Sequence, residues 1–363
     1  MKRLIATAAA ALLAAAVVFP CPAGAVSARH AYVLDAVTGR VVYEKSPREQ
    51  SLIASTTKIM TALIVCEQCN VLDRMRIPKE AVGIEGSSMY LTEGEVLTLQ
   101  ELLYGLMLSS GNDAAVALAI YCGGTVEGFV GLMNDKARNL GLRDTHFENP
   151  HGLDAPGHCS TARDLAVLSA YAMENPIFRK TVSAKSVKIG ERYLTNHNKL
   201  LWRVEGADGV KTGYTKAAGR ILVSSAARQG RRLIAVTIDD PDDWDDHARL
   251  LEKGFEAYAV RQILRKGDWV GTLEVVGGEN CRVSLLAAED FSYAMAEEES
   301  AQLALSGPGF VYAPAVEGAQ GGYVYVLIGG KAVGKVPVVY GETVEQPVEE
   351  DKGFRKWLFD RQK

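Results

Sequence analysis

Hydrophobic and polar residues alternate near the start of the chain and then recur at helical spacing after residue 55. Residues 30–45 alternate in two runs separated by Val37-Thr38-Gly39, which predicts two strands joined by a turn. From Ser55 to about Val65 the apolar residues share one helical face, which predicts a helix. The same spacing predicts further helices over 98–106, 113–121, 125–139 and 161–173, the last introduced by Ser160 and Thr161 as capping residues.

Strand patterns return near residue 221. The runs Ile221–Ala226 and Leu233–Ile238 flank the polar stretch Arg228-Gln229-Gly230-Arg231, which is typical of a hairpin turn. A helix is predicted from about His247 to Tyr258. Strands at both ends of residues 26–260, with helices between them, predict one α/β (α+β) domain. In it, the N-terminal strands pair with the late strands of an antiparallel sheet around an inserted helical cluster.

The character of the sequence changes beyond about Ile263. Residues 269–276, 322–328 and 332–340 alternate and are punctuated by glycine, which predicts a small all-β domain over 263–350. The tail, residues 353–363, places Phe354, Trp357 and Leu358 on one helical face among four cations. Such an amphipathic tail suits either an anionic membrane surface or packing on the β domain.

The first 25 residues have the features of a signal peptide. Lys2 and Arg3 precede an apolar stretch from Leu4 to Phe19, and Ala23-Gly24-Ala25 has the small-x-small pattern of a cleavage site. The apolar stretch is short for a membrane span, although an uncleaved anchor is the alternative. We therefore expect an exported, extracytoplasmic protein.

Charge and cysteine content narrow the classes of partner. The formal net charge of −4 becomes −6 when Lys2 and Arg3 leave with the first 25 residues, which argues against a nucleic-acid partner.

Five cysteines remain once the first 25 residues are removed, and Cys66 and Cys69 among them form a single CxxC pair. A single CxxC motif without a second pair of cysteines is a poor zinc site, so we expect no metal and no cofactor. Burial, or one disulfide, is expected for these cysteines.

Three short motifs carry the candidate chemistry. They are Ser55-Thr56-Thr57-Lys58, Ser110-Gly111-Asn112 and Lys211-Thr212-Gly213. Each is weak alone, but the ordered triple is the signature of penicillin-binding proteins and serine β-lactamases. The sequence therefore predicts a serine nucleophile that forms an acyl-enzyme.

The first motif places a nucleophile beside a base. Positions i and i+3 share one face of a helix, so Ser55 and Lys58 can touch. A serine hydroxyl needs a base to take its proton, and an ordinary lysine is already protonated. Burial and a second cation both favour the neutral amine, and Lys211 is the expected second cation.

The second and third motifs supply groups for the substrate. Ser110 and Asn112 lie in a predicted loop between two helices, where Ser110 can pass a proton to a leaving amine and Asn112 can hold the lysine amine and a substrate carbonyl. Lys211 and Thr212 lie on a strand and suit a substrate carboxylate. Gly213 permits close approach of a substrate backbone.

An acyl-transfer site also needs two backbone N–H groups to stabilise the oxyanion. By their positions in the motifs, the N–H groups of Ser55 and Tyr214 are the candidates.

Longer stretches resemble the low-molecular-weight penicillin-binding proteins that act as serine-type D-alanyl-D-alanine carboxypeptidases. The resemblance extends from about residue 30 to residue 256. The resembling segments are Ala54–Met60, Glu85–Leu91, Leu102–Ala115, Asn149–Asp154, Ser160–Ala166 and Ala207–Thr215. The β-rich C-terminal part is similar in placement to the second domain of that family. The resemblance implies a β-lactamase/transpeptidase-like catalytic domain.

It also implies the roles of individual residues. Ser55 would be the acyl-enzyme nucleophile, Lys58 the proton acceptor and Ser110 the proton relay. Lys211, with Thr212, would bind the terminal carboxylate of a peptidoglycan stem peptide ending in D-Ala-D-Ala. β-Lactams would acylate the same serine, and the activity would belong to cell-wall synthesis and cell shape.

Two departures from the family pattern affect these expectations. Some members place an arginine after the late hairpin to help hold the substrate carboxylate, whereas this chain has the acidic stretch Asp239–Asp246 there. We therefore expect recognition to depend on Lys211 and Thr212 alone, and the acidic stretch to be a solvated loop rather than a calcium site. The second departure is Cys159, where an aromatic residue is expected.

Three alternatives compete with the carboxypeptidase interpretation. A class A β-lactamase would need a glutamate to activate the deacylating water, and Glu148 is the candidate. A zinc D,D-peptidase would use His151, Asp154 and His158, although the chain has no HExxH motif. A catalytically silent wall-binding or sensor module is the third, and no sequence feature supports it directly.

Overall fold

A computed structural model describes residues 26–347 of the chain. The signal peptide predicted over 1–25 and the tail predicted over 353–363 lie outside these residues. The chain divides into two compact units, the first ending at Glu256 and the second beginning at Ala257. Each unit is considered separately below.

The first unit contains a five-stranded antiparallel sheet together with short hairpins and helices. Its strands are β1 His30–Asp35, β2 Val41–Lys45, β3 Arg74–Arg76, β4 Val96–Thr98, β5 Ser186–Ile189, β6 Arg192–Thr195, β7 Ala207–Thr215, β8 Gly219–Arg228 and β9 Arg231–Ile238. The large sheet has the order β2-β1-β9-β8-β7. N-terminal β1 pairs with late β9, which confirms the predicted closure of the sheet. Strand β7, which carries the third motif, lies at one edge.

Most of the helices over residues 26–347 lie close to a predicted position, but α6 and α7 were not predicted. The helices are α1 Lys58–Gln68, α2 Leu99–Leu108, α3 Asn112–Gly123, α4 Val126–Asn139, α5 Ala162–Ala172, α6 Pro176–Ser183, α7 Leu200–Arg203 and α8 Asp243–Ala257. Thr98 and Glu101 form a capping box at the start of α2, and Thr161 caps α5 by accepting from Asp164 N. Among the described residues no single helix is long and apolar enough to cross a membrane; α3 and α4 meet that criterion only as a pair bent by 83°.

The start of the first helix differs from the prediction. Residues Ala54–Thr57 form a 3-10 turn, and the α-helix begins only at Lys58. Ala54 has a positive φ of 43°, so the chain enters this turn from a left-handed residue. A 3-10 turn has three residues per turn, which still places Ser55 and Lys58 on the same side.

The acidic stretch is not a solvated loop, so that expectation was wrong. Asp240, Asp243 and Asp246 are buried, and α8 begins at Asp243. Ser27 explains this: its N–H donates to Asp246 Oδ2 at 2.7 Å, and its Oγ lies 2.5 Å from Asp240 Oδ1. The N-terminal segment of the first unit therefore holds the start of α8 in place.

One disulfide links two helical segments of the first unit. Cys69, which follows α1, is bonded to Cys122 in α3 with a Cα–Cα distance of 6.7 Å. Cys66 is a buried free thiol, and Cys159 and Cys281 are also free. Both expected states of the cysteines, burial and a disulfide, are thus present in this part of the chain.

The second unit is all-β in its described part, as its alternating pattern predicts. Its strands are β10 Ala259–Leu264, β11 Trp269–Val276, β12 Arg282–Ala287, β13 Phe291–Met295, β14 Ala301–Ser306, β15 Phe310–Tyr312, β16 Gln320–Ile328 and β17 Lys331–Tyr340. Six of them form a sheet of order β14-β16-β17-β12-β11-β15, and β10 pairs with β13. Alternate residues such as Val324 and Val326 fill its core.

Candidate active site

The three sequence motifs meet at one cleft of about 560 Å³ in the first unit. Ser55 comes from the 3-10 turn, Ser110 from the loop between α2 and α3, and Thr212 from edge strand β7. Gly213 and Tyr214 also line the cleft. A volume of this size is in the range of small-molecule sites.

Lys58 lies beneath the serine and makes three close contacts. Its Nζ is 2.9 Å from Ser55 Oγ, 2.7 Å from Asn112 Oδ1 and 2.7 Å from the carbonyl oxygen of His151. Two of these partners can only accept hydrogen bonds. A neutral amine would give its two N–H groups to them, and its lone pair would then accept the hydroxyl proton of Ser55. The contact set therefore suits a base.

The surroundings of Lys58 favour this neutral form. The side chain is fully buried, and burial lowers the pKa of its amine well below the ordinary value. The positive charge of Lys211 lowers this pKa further, whereas the carboxylate of Asp113 raises it. The expected role of Lys211 as a second cation is thus consistent with the geometry.

The orientation of the Asn112 amide is fixed from its other side. Asn112 Nδ2 donates to the carbonyl oxygen of Glu85 at 2.5 Å, so Oδ1 faces Lys58. A Cβ at the neighbouring Gly86 would lie 2.8 Å from Asn112 Nδ2, and Gly86 has a φ of +93°. Only glycine fits both the backbone conformation and the space here.

The loop that carries Ser110 is held by backbone and carboxylate contacts. Ser110 is buried with a φ of 59°, and the N–H of the following Gly111 donates to Gly105 O at 3.1 Å. Asp113 accepts from the N–H groups of Met89 and Leu91 at 3.0–3.1 Å, which ties the loop to the segment before α2. These hydrogen bonds hold Ser110 at the cleft.

A second loop, Asn149–Asp154, packs under the nucleophile. Pro150 O accepts from Thr61 Oγ1 at 2.6 Å, and His151 O accepts from Lys58. Gly152 has a φ of +90°, and a Cβ there would lie 1.8 Å from the carbonyl oxygen of Ala54. This segment, part of the family resemblance, thus has a direct physical role in placing the 3-10 turn.

His158 supports the same turn from a third direction. Its Nδ1 accepts from Glu148 N at 3.0 Å, which leaves Nε2 protonated to donate to Thr57 Oγ1 at 2.7 Å. Thr57 Oγ1 donates in turn to Ala54 O at 2.9 Å. Burial lowers the pKa of His158 to about 4, so the ring is neutral near pH 7. Sequence reasoning considered this residue only as a zinc ligand.

Lys211 lies behind the cleft rather than in it. Its side chain is 1% exposed, and Nζ donates to the carbonyl oxygen of Thr212 at 2.9 Å. Burial lowers the pKa of its amine to about 7. The neighbouring Gly213 packs on the nucleophile's turn, where an added Cβ would lie 3.3 Å from Ala54 Cβ. This close packing joins the third motif to the first.

Six further residues line the cleft that the motifs did not identify. They are Ser87, His197, Arg220, Ile221, Asp243 and Trp244. Arg220 lies directly opposite Tyr214 in the pairing of β8 with β7, a register that the hairpin pattern could have indicated. Asp243 and Trp244 belong to the first turn of α8, which the sequence had assigned to a loop.

The residues that a class A β-lactamase or a zinc D,D-peptidase would use are bound to other partners in this structure. Glu148 Oε1 lies 3.0 Å from His146 Nε2, and Glu148 does not line the cleft. Of the proposed zinc ligands, His151 accepts from Leu153 N, Asp154 accepts from Thr215 and His158 holds Thr57. Over residues 26–347 no group of three or more His, Cys, Asp or Glu side chains is placed to hold a metal ion.

Two family models match the chain in its two parts. A model described as D-alanyl-D-alanine carboxypeptidase matches residues 16–242, and one described as penicillin-binding protein 5, C-terminal domain, matches residues 258–346.

Curated relatives and solved structures agree with this match. The chain is 37% identical over 305 residues to the D-alanyl-D-alanine carboxypeptidase DacD of Salmonella typhimurium, covering 80% of this chain and 78% of the relative. It is 33% identical to DacC of Escherichia coli, covering 89% and 86%. The crystal structure of penicillin-binding protein 5 from Haemophilus influenzae aligns with a TM-score of 0.77 at 29% identity, covering 89% of this chain and 98% of that one.

Proposed function

Since the chain belongs to the D-alanyl-D-alanine carboxypeptidase family, we propose which of its residues carry out the reaction and in what order. The protein is a serine hydrolase of the low-molecular-weight penicillin-binding protein class that acts as a D-alanyl-D-alanine carboxypeptidase. The observation that carries the assignment is the contact set of Lys58, whose Nζ lies 2.9 Å from Ser55 Oγ.

Acylation begins at Ser55. Its Oγ attacks the carbonyl carbon of the penultimate D-alanine while its proton passes to Lys58 Nζ. The backbone N–H groups of Ser55 and Tyr214 stabilise the oxyanion, a role supported for Tyr214 by the edge position of β7. The peptide bond to the last D-alanine then breaks. Ser110 passes its proton to the leaving amine and takes up the proton that Lys58 received from Ser55, so that Lys58 is neutral again before deacylation.

Deacylation completes the cycle. Water attacks the ester carbonyl of the acyl-enzyme, and Lys58 accepts its proton and returns it to Ser55 Oγ. The products are the shortened stem peptide and free D-alanine, and the enzyme is restored. Asn112 orients Lys58 and the substrate carbonyl. Thr212 and Gly213 line the cleft and hold the end of the substrate, and Lys211 supports them from behind through its hydrogen bond to Thr212 O.

Peptidoglycan stem pentapeptides are the proposed substrate, and β-lactams the proposed acylating inhibitors. Both present a carbonyl to Ser55 and a carboxylate to the third motif. The activity would act in cell-wall remodelling and cell shape, outside the cytoplasm. The Cys69–Cys122 disulfide supports such an oxidising location. Contact of residues 353–363 with the membrane stays a prediction.

Intact-protein mass spectrometry after incubation with penicillin tests the assignment. We expect a covalent adduct on the wild-type protein and none on Ser55→Ala. Ser87→Ala is the matched control, because Ser87 also lines the cleft but has no proposed chemical role, and it should keep the adduct. An unmodified wild-type protein, or an adduct that persists in Ser55→Ala, would contradict the proposal.

A second variant tests the β-lactamase alternative. If Glu148 activated the deacylating water, Glu148→Gln would trap the acyl-enzyme. We expect it instead to turn penicillin over at the wild-type rate, because its carboxylate is paired with His146. A long-lived adduct found only in Glu148→Gln would favour the β-lactamase.

A further inference from the structure

We propose that Arg220, which lines the cleft, binds the C-terminal carboxylate of the substrate through guanidinium N–H groups that Asp243 does not use. This inference rests on the proposed function, because it assigns the residue that recognises the departing D-alanine. It adds a third residue to a recognition site that the sequence limited to Lys211 and Thr212.

The position of Arg220 places a cation near the reacting groups. Arg220 is the second residue of β8, opposite Tyr214 of β7, and it lines the same cleft as Ser55 and Thr212. Its side chain is 44% exposed, so the guanidinium can reach a ligand without any change in the sheet.

The start of α8 holds this guanidinium in place. Arg220 Nη2 donates to Asp243 Oδ1 at 2.6 Å, and the guanidinium carbon lies 5.9 Å from the centre of the Trp244 ring. Asp243 and Trp244 are fixed because the first turn of α8 is tied to Ser27 through Asp246. The cation is therefore orientated before any substrate arrives.

Arg220 keeps donors free for a ligand. A guanidinium has five N–H groups in a planar fork that matches a carboxylate. The contact with Asp243 uses one nitrogen, and the other two have no hydrogen-bond partner among residues 26–347. The fork can thus bind a second carboxylate while Asp243 holds it.

Lys211 is less suited to provide this charge alone. Its amine is 1% exposed and already donates to Thr212 O, and burial lowers its pKa to about 7. An arginine stays charged at every pH at which the enzyme is folded. Lys211 then acts mainly on Lys58, and Arg220 provides the exposed positive charge.

Two substrates separate carboxylate binding from acylation. The first is diacetyl-L-Lys-D-Ala-D-Ala, which ends in a free carboxylate. The second is diacetyl-L-Lys-D-Ala methyl ester, which acylates the same serine but has no carboxylate. For Arg220→Ala we expect kcat/KM on the acid to fall about 10- to 100-fold, mostly through KM, as for a lost hydrogen bond to a charged group. On the ester we expect a change of less than about twofold.

Arg228 offers a matched control. It also lies on β8, pairs with a carboxylate of α8 (Glu252, 2.8 Å) and stacks on an aromatic ring of α8 (Phe255, 4.8 Å), but it does not line the cleft. Arg228→Ala should therefore leave both substrates near wild type. Arg220→Gln, which keeps a donor for Asp243, serves as the second variant if Arg220→Ala unfolds, and it should show the same selective loss.

The outcomes separate the two proposals. Equal losses on acid and ester, no loss on the acid, or an equal loss in Arg228→Ala would overturn the role of Arg220 while the wild-type activity stands. A wild-type protein that neither cleaves the acid nor forms a penicillin adduct would overturn the proposed function, and with it this inference.

Discussion

Lys58 Nζ lies 2.7 Å from Asn112 Oδ1, and the amide of Asn112 can present only its oxygen there because its nitrogen is bound to Glu85 O. This pair links the first motif to the second. Asn112 Oδ1 is one of two atoms near Lys58 that can only accept hydrogen bonds, the other being the carbonyl oxygen of His151. Together they take both N–H groups of a neutral Lys58, so its lone pair is left to accept the Ser55 proton. The direction of these hydrogen bonds, as well as burial, therefore makes Lys58 a base.

Asn112→Asp should disable the base without changing the size of the side chain. A carboxylate 2.7 Å from Lys58 Nζ would favour the ammonium, and an ammonium cannot accept the Ser55 proton. We expect the rate of penicillin acylation near pH 7 to fall about 100-fold or more, as for the loss of general-base catalysis. Stopped-flow or mass-spectrometric acylation kinetics measure this.

Asn139→Asp is the control for that change, since Asn139 is exposed at the end of α4. It should acylate at the wild-type rate. Wild-type kinetics in Asn112→Asp would mean that Lys58 is not the base.

Lys211→Gln should move the acidic limb of the acylation profile to higher pH. The charge of Lys211 lowers the pKa of Lys58, so its removal raises that pKa and more alkaline solution is needed to form the neutral amine. The effect should be largest below about pH 7, where Lys211 itself is charged. Acylation rates between pH 5 and pH 9 measure the shift.

Lys216→Gln, at an exposed position after β7, is the matched control and should leave the limb in place. A limb that moves to lower pH in Lys211→Gln would contradict the assigned electrostatic role.

The buried histidines should make the protein less stable as the pH falls from about 6.5 to about 4. Burial lowers the pKa of His151 and His158 to about 4 and that of His247 to about 3. In this window the unfolded chain binds protons at these rings and the folded protein does not, so acidification favours unfolding. Each histidine contributes up to about 1.4 kcal/mol per pH unit.

Urea unfolding at several pH values tests this slope. In His158→Gln the slope between pH 6 and pH 4.5 should fall by about one proton. An unchanged slope in His158→Gln would show that this ring is protonated in the folded protein.

The Cys69–Cys122 disulfide should contribute substantially to stability. It closes a loop of 53 residues, and a crosslink of that length lowers the entropy of the unfolded chain. We expect Cys69→Ser to lose about 2–4 kcal/mol in the free energy of unfolding, and reductant to remove the difference. Cys281→Ser, at an exposed free thiol, is the control and should unfold like the wild type.

Local sequence determined most of the regular structure. The hairpin at 30–45, the five helices before residue 175 and the β8–β9 hairpin all follow from side-chain periodicity and turn residues, which act over a few positions. The order of the three motifs likewise indicated the family before any contact was known. The start of α8 was missed because aspartates favour loops until distant partners bury them.

The tertiary structure decided how the site works. Whether Lys58 is neutral depends on its burial and on the charge of Lys211. The direction of its lone pair depends on Asn112 and His151, which lie 54 and 93 residues away along the chain. Lys211 does not face a ligand because it is buried behind edge strand β7. Arg220 faces the cleft because α8 holds it there, and the start of α8 is bound by Ser27, 219 residues before Asp246. Periodicity reports only the immediate neighbours of a residue, whereas pKa and exposure are set by all the atoms around it. The sequence therefore determined which groups are present, and only folding decided which of them are charged and which can reach a substrate.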